Sequence, residues 1–283
     1  MEVVMSDSPR AGFIGLGNIG APMAATLVRA GFEVRVYDVR PGAVAAAERE
    51  GAVATDGPAA VAAGCDLIGL AVLDDTQVTE VTREIAAAAR PETVVIVHST
   101  VLPRTVTALQ DSGVRVVDAP VSGGDMGAAA GTLTVMAGGE PEALARCEAY
   151  FAAIGERVEL LGPPGAGAAA KLSLQLMTYA NHLVALEAVT LAAAHDIAED
   201  RLIDLATATT GDSWTVRNWG FFDRLLRDHR DAGTEAAYRY FGKDLFDVVL
   251  VAREAGVSLP LAGLASQALA PAFRERYRDL TDR

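Results

Sequence analysis

A single lysine stands in a long apolar stretch of the sequence. Lys171 is the only formally charged residue within positions 160–186, whereas an exposed helix of this length normally carries several charged side chains. Burial of an ammonium group lowers its pKa toward the range useful for proton transfer. Helical spacing from Lys171 leads to Gln175, Thr178 and His182. The pattern favours Lys171 as a general acid and base with Gln175 beside it; a solvated surface lysine is the structural alternative.

The second candidate site is a glycine-rich loop near the N-terminus, formed by Gly15, Leu16, Gly17, Asn18, Ile19 and Gly20. In this G-x-G-x-x-G pattern the first glycine permits a tight turn and the second lets a pyrophosphate approach the backbone. The third allows close packing of helix on strand. A β-rich run precedes the loop and a helical run over residues 21–30 follows it, so a helix N-terminus faces the phosphates. The sequence predicts dinucleotide binding here.

An acidic residue, Asp38, ends the next predicted strand, 21 residues after Gly17. A carboxylate at this position accepts hydrogen bonds from the adenosine ribose and repels a 2′-phosphate, which favours NAD over NADP. Arg40 could contact the 2′-phosphate of NADP, or it could be a solvated surface arginine. We therefore expect NAD as the cofactor, with NADP as the alternative.

The elements that must position these residues follow an alternating pattern from residue 12 to about residue 161. Short β-rich runs alternate with alanine-rich helical segments, which is typical of parallel strands joined by right-handed helical crossovers. We predict an α/β Rossmann domain with a doubly wound, mostly parallel sheet. The predicted strands are residues 11–17, 33–38, 66–72, 93–99, 114–120, 132–138 and 157–162.

The pattern changes at the glycine- and proline-rich segment 162–167, after which only helical periodicity remains. We predict a Rossmann dinucleotide-binding domain over residues 1–163 and an all-α domain over residues 164–283. The all-α domain would begin with a long helix from Ala166 to Ala194 and contribute to the substrate site and to oligomerisation. The aromatic-rich segment 211–235 is predicted either to cover the pocket or to pack between helices.

Composition excludes several function classes. The chain is 51% hydrophobic and 22% charged, which is unlike a disordered protein. Its 24 basic and 37 acidic residues give a net charge of −13, which argues against nucleic acid and anionic membranes as partners. The N-terminal residues do not resemble a signal peptide, and no CxxC pair or metal-ligand spacing of histidines is present. We expect a cytoplasmic protein without a membrane span or a metal site.

Four segments of the sequence resemble the β-hydroxyacid dehydrogenase family. They are FIGLGNIGAPMAATLVRAG at 13–31, DAPVSGGDMGAAAGTLTVMAGG at 118–139, GAGAAAKL at 165–172 and KDL at 243–245. The resemblance spans nearly the whole chain and implies a Rossmann domain followed by a helical domain. It implies an oxidoreductase that transfers a hydride between NAD(P) and a short β-hydroxyacid or semialdehyde. It also implies a homodimer or homotetramer.

The resemblance assigns roles on the substrate side. Lys171 corresponds to the catalytic lysine, and Gln175 lies where a substrate-binding amide is expected. The segment Ser122, Gly123 and Gly124 would hold the substrate carboxylate through a hydroxyl and backbone N–H groups, without a charged side chain.

The resemblance also assigns roles on the cofactor side. Leu73 and Asp74 would lie near the adenosine or ribose portion, and Thr100 would also contact the cofactor. Lys243 would lie close to the nicotinamide end, where it would contact both cofactor and substrate, with Asp244 orienting it.

One departure from the family pattern concerns substrate identity. Similar proteins usually carry asparagines three and four residues after the catalytic lysine, and this chain has Leu174 and Gln175. The sequence therefore leaves the substrate open. Two alternatives also remain open: an imine reductase, although such enzymes generally lack the lysine, and a non-catalytic cofactor-binding protein.

Overall fold

The computed structural model describes residues 10–231 and 238–278. The chain divides into two compact units, with the boundary between Lys171 and Leu172.

The first unit contains a mostly parallel sheet flanked by helices. The strands are β1 (Arg10–Ile14), β2 (Glu33–Tyr37), β3 (Val53–Ala54), β4 (Leu67–Leu70), β5 (Val94–Val97), β6 (Arg115–Asp118), β7 (Val121–Ser122), β8 (Leu133–Gly138) and β9 (Gly155–Gly162). Among the described residues the strand order is β3-β2-β1-β4-β5-β6-β8-β7, and β9 pairs with β8. The pairings of β8 with β6 and β7 are antiparallel, and the others are parallel.

The helices of the first unit connect these strands. They are α1 (Gly20–Arg29), α2 (Pro41–Arg49), α3 (Pro58–Gly64), α4 (Asp75–Ala86), α5 (Pro103–Leu109), α6 (Gly124–Ala130), α7 (Pro141–Arg146) and α8 (Glu148–Ile154), and a 3-10 turn covers Gln110–Ser112. The predicted fold class is confirmed. The sequence missed β3 and β7, because two-residue strands are too short to show a periodic pattern.

The central strands are buried on both faces, as a doubly wound sheet requires. Along β5, Val94 and Ile96 join the apolar cluster on one face, while Val95 and Val97 join the cluster on the other. All four side chains are fully buried. The continuous apolar run of β5 in the sequence therefore indicates a strand that is covered by helices on both faces of the sheet.

The long helix α9 (Ala166–Ala193) starts in the first unit and continues into the second. By length and composition it could cross a membrane, but the core helix of a soluble protein passes the same test. The remaining described helices of the second unit are α10 (Glu199–Thr207), α11 (Trp214–Arg217), α12 (Phe221–Asp231), α13 (Tyr238–Glu254) and α14 (Pro260–Arg276).

The core of the second unit is aromatic and includes Tyr179, Phe222, Phe241 and Phe273. His182 lies within it, with its ring centroid 4.3 Å from that of Phe222, so the polar stripe expected from Lys171 through His182 ends in the core. Burial lowers the pKa of His182 to about 4, which keeps this residue neutral near pH 7. The described part of segment 211–235 forms α11 and α12, and residues 232–235 lie outside the described ranges.

Candidate active site

The glycine loop follows β1 at the carboxyl edge of the sheet. Gly15 has a φ of 91°, and a Cβ atom there would collide with the carbonyl oxygen of Ala71 in the loop after β4. A Cβ atom on Gly20 would collide with the carbonyl oxygen of Gly15. These two glycines are therefore required by the fold of the loop itself, before any ligand is considered.

Gly17 differs from the other two glycines, since a Cβ atom at this position would meet nothing within 4 Å. The protein's own packing does not demand a glycine here, but close approach of a pyrophosphate would. The open position lies shortly before α1, whose N-terminus favours negative charge. The loop thus fits the dinucleotide that its sequence predicts.

Asp38 follows β2 and contacts the glycine loop directly. Its Oδ2 atom accepts a hydrogen bond from the backbone N–H of Leu16 at 2.7 Å. Arg40 donates from its backbone N–H and its Nε to Asp38 Oδ1, at 2.8 and 2.9 Å. Burial raises the pKa of Asp38, but the hydrogen bonds from Arg40 and Leu16 outweigh this effect and lower it below the usual value. Asp38 is therefore an anionic group at the predicted ribose position.

Arg40 also joins the loop, because its Nη2 donates to the carbonyl oxygen of Leu16 at 3.0 Å and to Asp38 Oδ2 at 3.0 Å. The side chain of Arg40 remains 51% exposed, whereas that of Asp38 is 7% exposed. Arg40 can therefore turn toward a phosphate group without unfolding its surroundings, while Asp38 is fixed in place.

Two hydrogen bonds join the loop after β4 to the loop after β5. Ser99 Oγ accepts from the backbone N–H of Val72 at 2.9 Å and donates to its carbonyl at 2.8 Å. Of the predicted cofactor residues in these loops, Leu73 is 52% exposed and Thr100 is half-buried. Asp74 accepts from the backbone N–H of Gln77 at 2.9 Å and so caps α4. Since β4 pairs with β1 and β5 pairs with β4, all in parallel, these residues line the same edge of the sheet as the glycine loop.

A buried carboxylate anchors the start of α9. Asp118, at the end of β6, is fully buried and accepts from the backbone N–H of Gly165 at 2.8 Å and of Ala168 at 2.7 Å. Burial raises the pKa of Asp118, and these backbone hydrogen bonds offset part of the rise. Asp118 thereby fixes the first turn of the helix that carries Lys171.

Lys171 lies beside the predicted carboxylate-binding segment. Its Nζ donates to the carbonyl oxygen of Val121 at 2.9 Å, immediately before Ser122. Gly123 and Gly124 follow with φ angles of 137° and 66°, which side-chain-bearing residues rarely adopt. The structure therefore brings the lysine and the Ser122–Gly124 segment together at one place in the first unit.

A buried histidine contacts the chain just before this segment. His98 Nδ1 lies 2.7 Å from the carbonyl oxygen of Ala119, which can only accept, so Nδ1 carries the proton. Nε2 then accepts from the hydroxyl of Tyr150 at 3.0 Å. Burial lowers the pKa of His98 to about 4. This neutral histidine links the core to the chain between Asp118 and Val121.

Gln175, in the second unit, belongs to a polar network. Its Nε2 donates to Tyr179 Oη and to Asp244 Oδ2, both at 2.8 Å. The Tyr179 hydroxyl also lies 3.2 Å from Asp244 Oδ2. Burial, with a contribution from Asp244, raises the pKa of Tyr179 well above its usual value of 10, so its hydroxyl keeps its proton.

Lys243 extends this network on α13. Its Nζ lies 3.2 Å from Asp244 Oδ1 and 2.8 Å from Asp247 Oδ2. Burial lowers the pKa of Lys243, but the two carboxylates outweigh it and raise the pKa above its usual value. Lys243 is therefore a cation held by two carboxylates.

Sequence reasoning did not identify four of these polar groups. Asp118 lies inside the quoted DAPVSGG motif, and Asp247 lies one helical turn after Lys243, where an ion pair could have been anticipated. Tyr179 likewise lies one turn after Gln175. Ser99 gave no signal beyond its position after a predicted strand.

Sequence models of two protein families match the chain. The NAD binding domain of 6-phosphogluconate dehydrogenase matches residues 10–162. The NAD-binding domain of NADP-dependent 3-hydroxyisobutyrate dehydrogenase matches residues 165–282. Together they cover both units.

Individual proteins match over similar lengths. An uncharacterized oxidoreductase of Mycobacterium tuberculosis is 35% identical over 283 residues, covering 93% of each chain. The L-threonate dehydrogenase of Cupriavidus necator is 35% identical over 265 residues, covering 90% of this chain and 88% of its own. The solved structure of M. tuberculosis 3-hydroxyisobutyrate dehydrogenase with L-serine has a TM-score of 0.83 at 28% identity and covers 97% of both chains.

These matches fit a hydroxyacid dehydrogenase better than an imine reductase. The resemblance found in the sequence is confirmed: the chain belongs to the β-hydroxyacid dehydrogenase family of NAD(P)-dependent oxidoreductases.

Proposed function

We propose that this enzyme reversibly oxidises the hydroxyl group of a short β-hydroxyacid to the semialdehyde, with Lys171 as general acid and base. The observation that carries the proposal is the hydrogen bond from Lys171 Nζ to Val121 O at 2.9 Å. It holds an ammonium group next to a segment with the geometry of a carboxylate site. A β-hydroxyacid carries a carboxylate and a hydroxyl two carbons apart, which suits two such neighbouring groups.

The dinucleotide would be held by the glycine loop, with Leu73, Asp74 and Thr100 along the same sheet edge. When bound, its nicotinamide accepts the hydride during oxidation and supplies it during reduction. NAD is favoured because Asp38, an anion at the ribose position, repels a 2′-phosphate. NADP remains the alternative through Arg40.

Lys171 accepts and returns the proton of the substrate hydroxyl. During oxidation its neutral amine takes the proton at Nζ, and during reduction its ammonium returns the proton to the new hydroxyl. The Val121 carbonyl restrains Nζ, so that little side-chain freedom is lost when the substrate arrives. Lys243 would contact the substrate and the nicotinamide end.

The substrate carboxylate would bind at Ser122, Gly123 and Gly124. Backbone N–H groups and a hydroxyl supply the attraction there, as in other anion-binding nests. This explains how a chain with a net charge of −13 binds a small anion: the attraction is local.

We further propose a homodimer, or a tetramer built from it, in the cytoplasm. Four large apolar side chains recur on α9 at helical spacing and are 44–66% exposed, which is unusual for a monomer. They are Leu174, Met177, Val184 and Leu191. Sedimentation should give at least twice the chain mass, and Val184→Glu should lower that mass if this surface joins two copies.

The deciding experiment for the activity is a panel of short β-hydroxyacids and semialdehydes, run with NAD and NADP in parallel and followed by nicotinamide absorbance. Turnover of at least one hydroxyacid supports the proposal. Reduction of cyclic imines alone would identify an imine reductase. Cofactor binding without turnover on any substrate would indicate a binding protein.

A further inference from the structure

The sheet fixes the start of the predicted carboxylate site but not its end. Val121 and Ser122 form β7, which pairs with β8, so the carbonyl that contacts Lys171 is held by the sheet. Gly123 and Gly124 follow, and Gly124 is the first residue of α6. The position of their backbone N–H groups therefore depends on what holds α6.

Helix α6 has little of its own to keep it in position. It is seven residues long, with the sequence GDMGAAA, and short helices that contain glycine are marginally stable. Its N-cap residue, Gly123, has no side chain with which to cap the helix. Among the seven residues, all within the described ranges, only Ala128 is buried. Contacts from another element must therefore hold α6.

Helix α1 supplies these contacts at the C-terminal end of α6, where the last carbonyl groups of a helix lack partners within the helix. Thr26 Oγ1 donates a hydrogen bond to the carbonyl oxygen of Ala128 at 2.8 Å. Arg29 Nη2 donates to the carbonyl oxygen of Ala129 at 2.6 Å. The arginine also places a positive charge at the negative end of the helix dipole. Two side chains of α1 thus cap α6.

The Thr26 hydroxyl is oriented as well as buried. Thr26 is 6% exposed, and its oxygen accepts a hydrogen bond from Arg29 Nη2 at 2.5 Å. A guanidinium only donates and a carbonyl oxygen only accepts, so the hydroxyl proton must point to Ala128. Gly131 ends α6 with a φ of 71°, and a Cβ atom there would lie 3.3 Å from Thr26 Cγ2. The two helices are therefore closely packed at this point.

The N-terminal end of α1 belongs to the glycine loop. The helix begins at Gly20, the third glycine of the motif, and Thr26 lies about 9 Å further along its axis. Met23 and Ala24, between these two positions, lie in the apolar cluster that also contains Ala128. One helix therefore connects the predicted pyrophosphate site to the predicted carboxylate site.

We propose that Thr26 and Arg29 are positioning residues for the substrate carboxylate. They hold the last turn of α6 and, through it, the segment Ser122–Gly124. The inference rests on the proposed function, which places the carboxylate at this segment. Lys171 is held separately, by a carbonyl in β7, and Gly15 and Gly20 fix the glycine loop. Loss of the hydrogen bonds between α1 and α6 should therefore weaken substrate binding without changing the proton step or cofactor binding.

The test starts from Thr26→Val, which removes the hydroxyl and nearly keeps the shape of the side chain. The substrates are those of 3-hydroxypropanoate, 3-hydroxyisobutyrate, glycerate and serine that the wild type turns over, each compared with its methyl ester. For the acids we expect KM to rise roughly tenfold, since a small displacement of binding groups suffices for such a loss. The kcat and the NADH affinity should stay within about twofold. The methyl esters carry no carboxylate, so their kcat/KM should also change by less than about twofold.

Three further variants complete the comparison. Thr26→Ser keeps the hydroxyl and should restore the KM of the acids. Arg29→Gln should raise this KM in the same direction, and because Arg29 is exposed the change leaves no buried group of its own unpaired. It keeps the inference testable if Thr26→Val does not fold. Thr107→Val, the matched control, removes a hydroxyl that bonds the Pro103 carbonyl of its own helix, and should leave all these quantities unchanged.

KM does not depend on how much of each sample is folded, so a merely structural loss would leave it unchanged. A normal KM for the acids in both Thr26→Val and Arg29→Gln would overturn the positioning role while leaving the dehydrogenase activity in place. An equal rise in KM for acids and methyl esters would also overturn it, because the effect would not act through the carboxylate. Absence of turnover of every hydroxyacid by the wild type would instead overturn the proposed function, and the inference with it.

Discussion

Lys171 Nζ donates to the Val121 carbonyl at 2.9 Å, although the two residues lie 50 positions apart in the chain. The contact joins α9 to the segment that follows β6. A lysine restrained by a backbone carbonyl at this point can exchange a proton with a hydroxyl held nearby, and it adds a positive charge near the predicted carboxylate site.

Replacement of this lysine tests the proton step. We expect Lys171→Met to lower kcat by roughly 10²- to 10⁴-fold, the usual loss for a general acid–base group, with little change in NADH affinity measured by fluorescence. Glu84→Gln, a change at an exposed residue of α4, serves as the control and should retain activity. Near-normal turnover of Lys171→Met on the preferred substrate would remove Lys171 from the chemistry.

The glycine loop gives a paired prediction, because its glycines are required for different reasons. Gly15→Ala places a Cβ atom against the Ala71 carbonyl at a φ of 91°, and should lower the free energy of unfolding by about 1–3 kcal/mol. Gly17→Ala meets nothing within 4 Å, so the melting temperature should remain unchanged while NADH binding weakens at least about tenfold. Calorimetry on both variants measures the thermal stability and the affinity for NADH. Normal NADH affinity in Gly17→Ala would place the pyrophosphate elsewhere.

Asp118 should control both stability and catalysis. Asp118→Asn puts an NH₂ group against the backbone N–H of Gly165 or Ala168, and we expect urea denaturation to show a loss of about 1–3 kcal/mol. Because the start of α9 would shift, kcat should also fall. Asp111→Asn, an exposed carboxylate, should change stability by less than about 0.5 kcal/mol. Equal stability of the two variants would show that Asp118 does not anchor the helix.

Arg40 should affect the choice between cofactors. In Arg40→Ala the oxygens of Asp38 become available to ribose hydroxyls, and the cation that could meet a 2′-phosphate is gone. We expect kcat/KM with NADP to fall roughly tenfold relative to NAD, the scale of one charge-assisted hydrogen bond. Arg49→Ala removes a guanidinium that bonds the Ala45 carbonyl of its own helix, and should leave the ratio unchanged. A rise in NADP use in Arg40→Ala would contradict this role.

The sequence predicts those parts of the fold and site that depend on neighbours in the chain. The alternating pattern yields the doubly wound sheet, and the apolar run around Lys171 yields a helix that ends one residue earlier than expected, at Ala193. The positions of the loop glycines and of Asp38 could be predicted for the same reason, since they depend only on a short loop and on the strand that follows it.

The parts that could not be predicted depend on residues far apart in the chain. Asp118 and Gly165 are separated by 47 positions, and Gln175 and Asp244 by 69. No local periodicity encodes such pairs, because each forms only when separate elements pack. His182 shows the same limit: helical spacing placed it on a polar stripe, but packing against Phe222 placed it in the core.

The buried His98 predicts a specific loss of stability in acid. Its pKa is about 4 in the folded protein, against an ordinary value of 6.5, so between these values the unfolded chain binds more protons than the folded one. Stability from this residue is present above pH 6.5 and is lost as the pH falls toward 4. Because the unfolded chain binds about one more proton within that window, the free energy of unfolding falls by about 1.4 kcal/mol for each pH unit of acidification.

A His98→Gln variant removes this titration while keeping an amide able to donate to the Ala119 carbonyl. Its free energy of unfolding at neutral pH should be lower than that of the wild type, because the fit against Tyr150 is lost. Between pH 7 and pH 4.5, however, its stability should fall by about 2 kcal/mol less than that of the wild type. Urea denaturation at both pH values measures the difference. Parallel losses in the two proteins would mean that His98 takes up its proton over the same pH range in the folded protein as in the unfolded chain, and that the Ala119–His98–Tyr150 contact does not depend on a neutral ring.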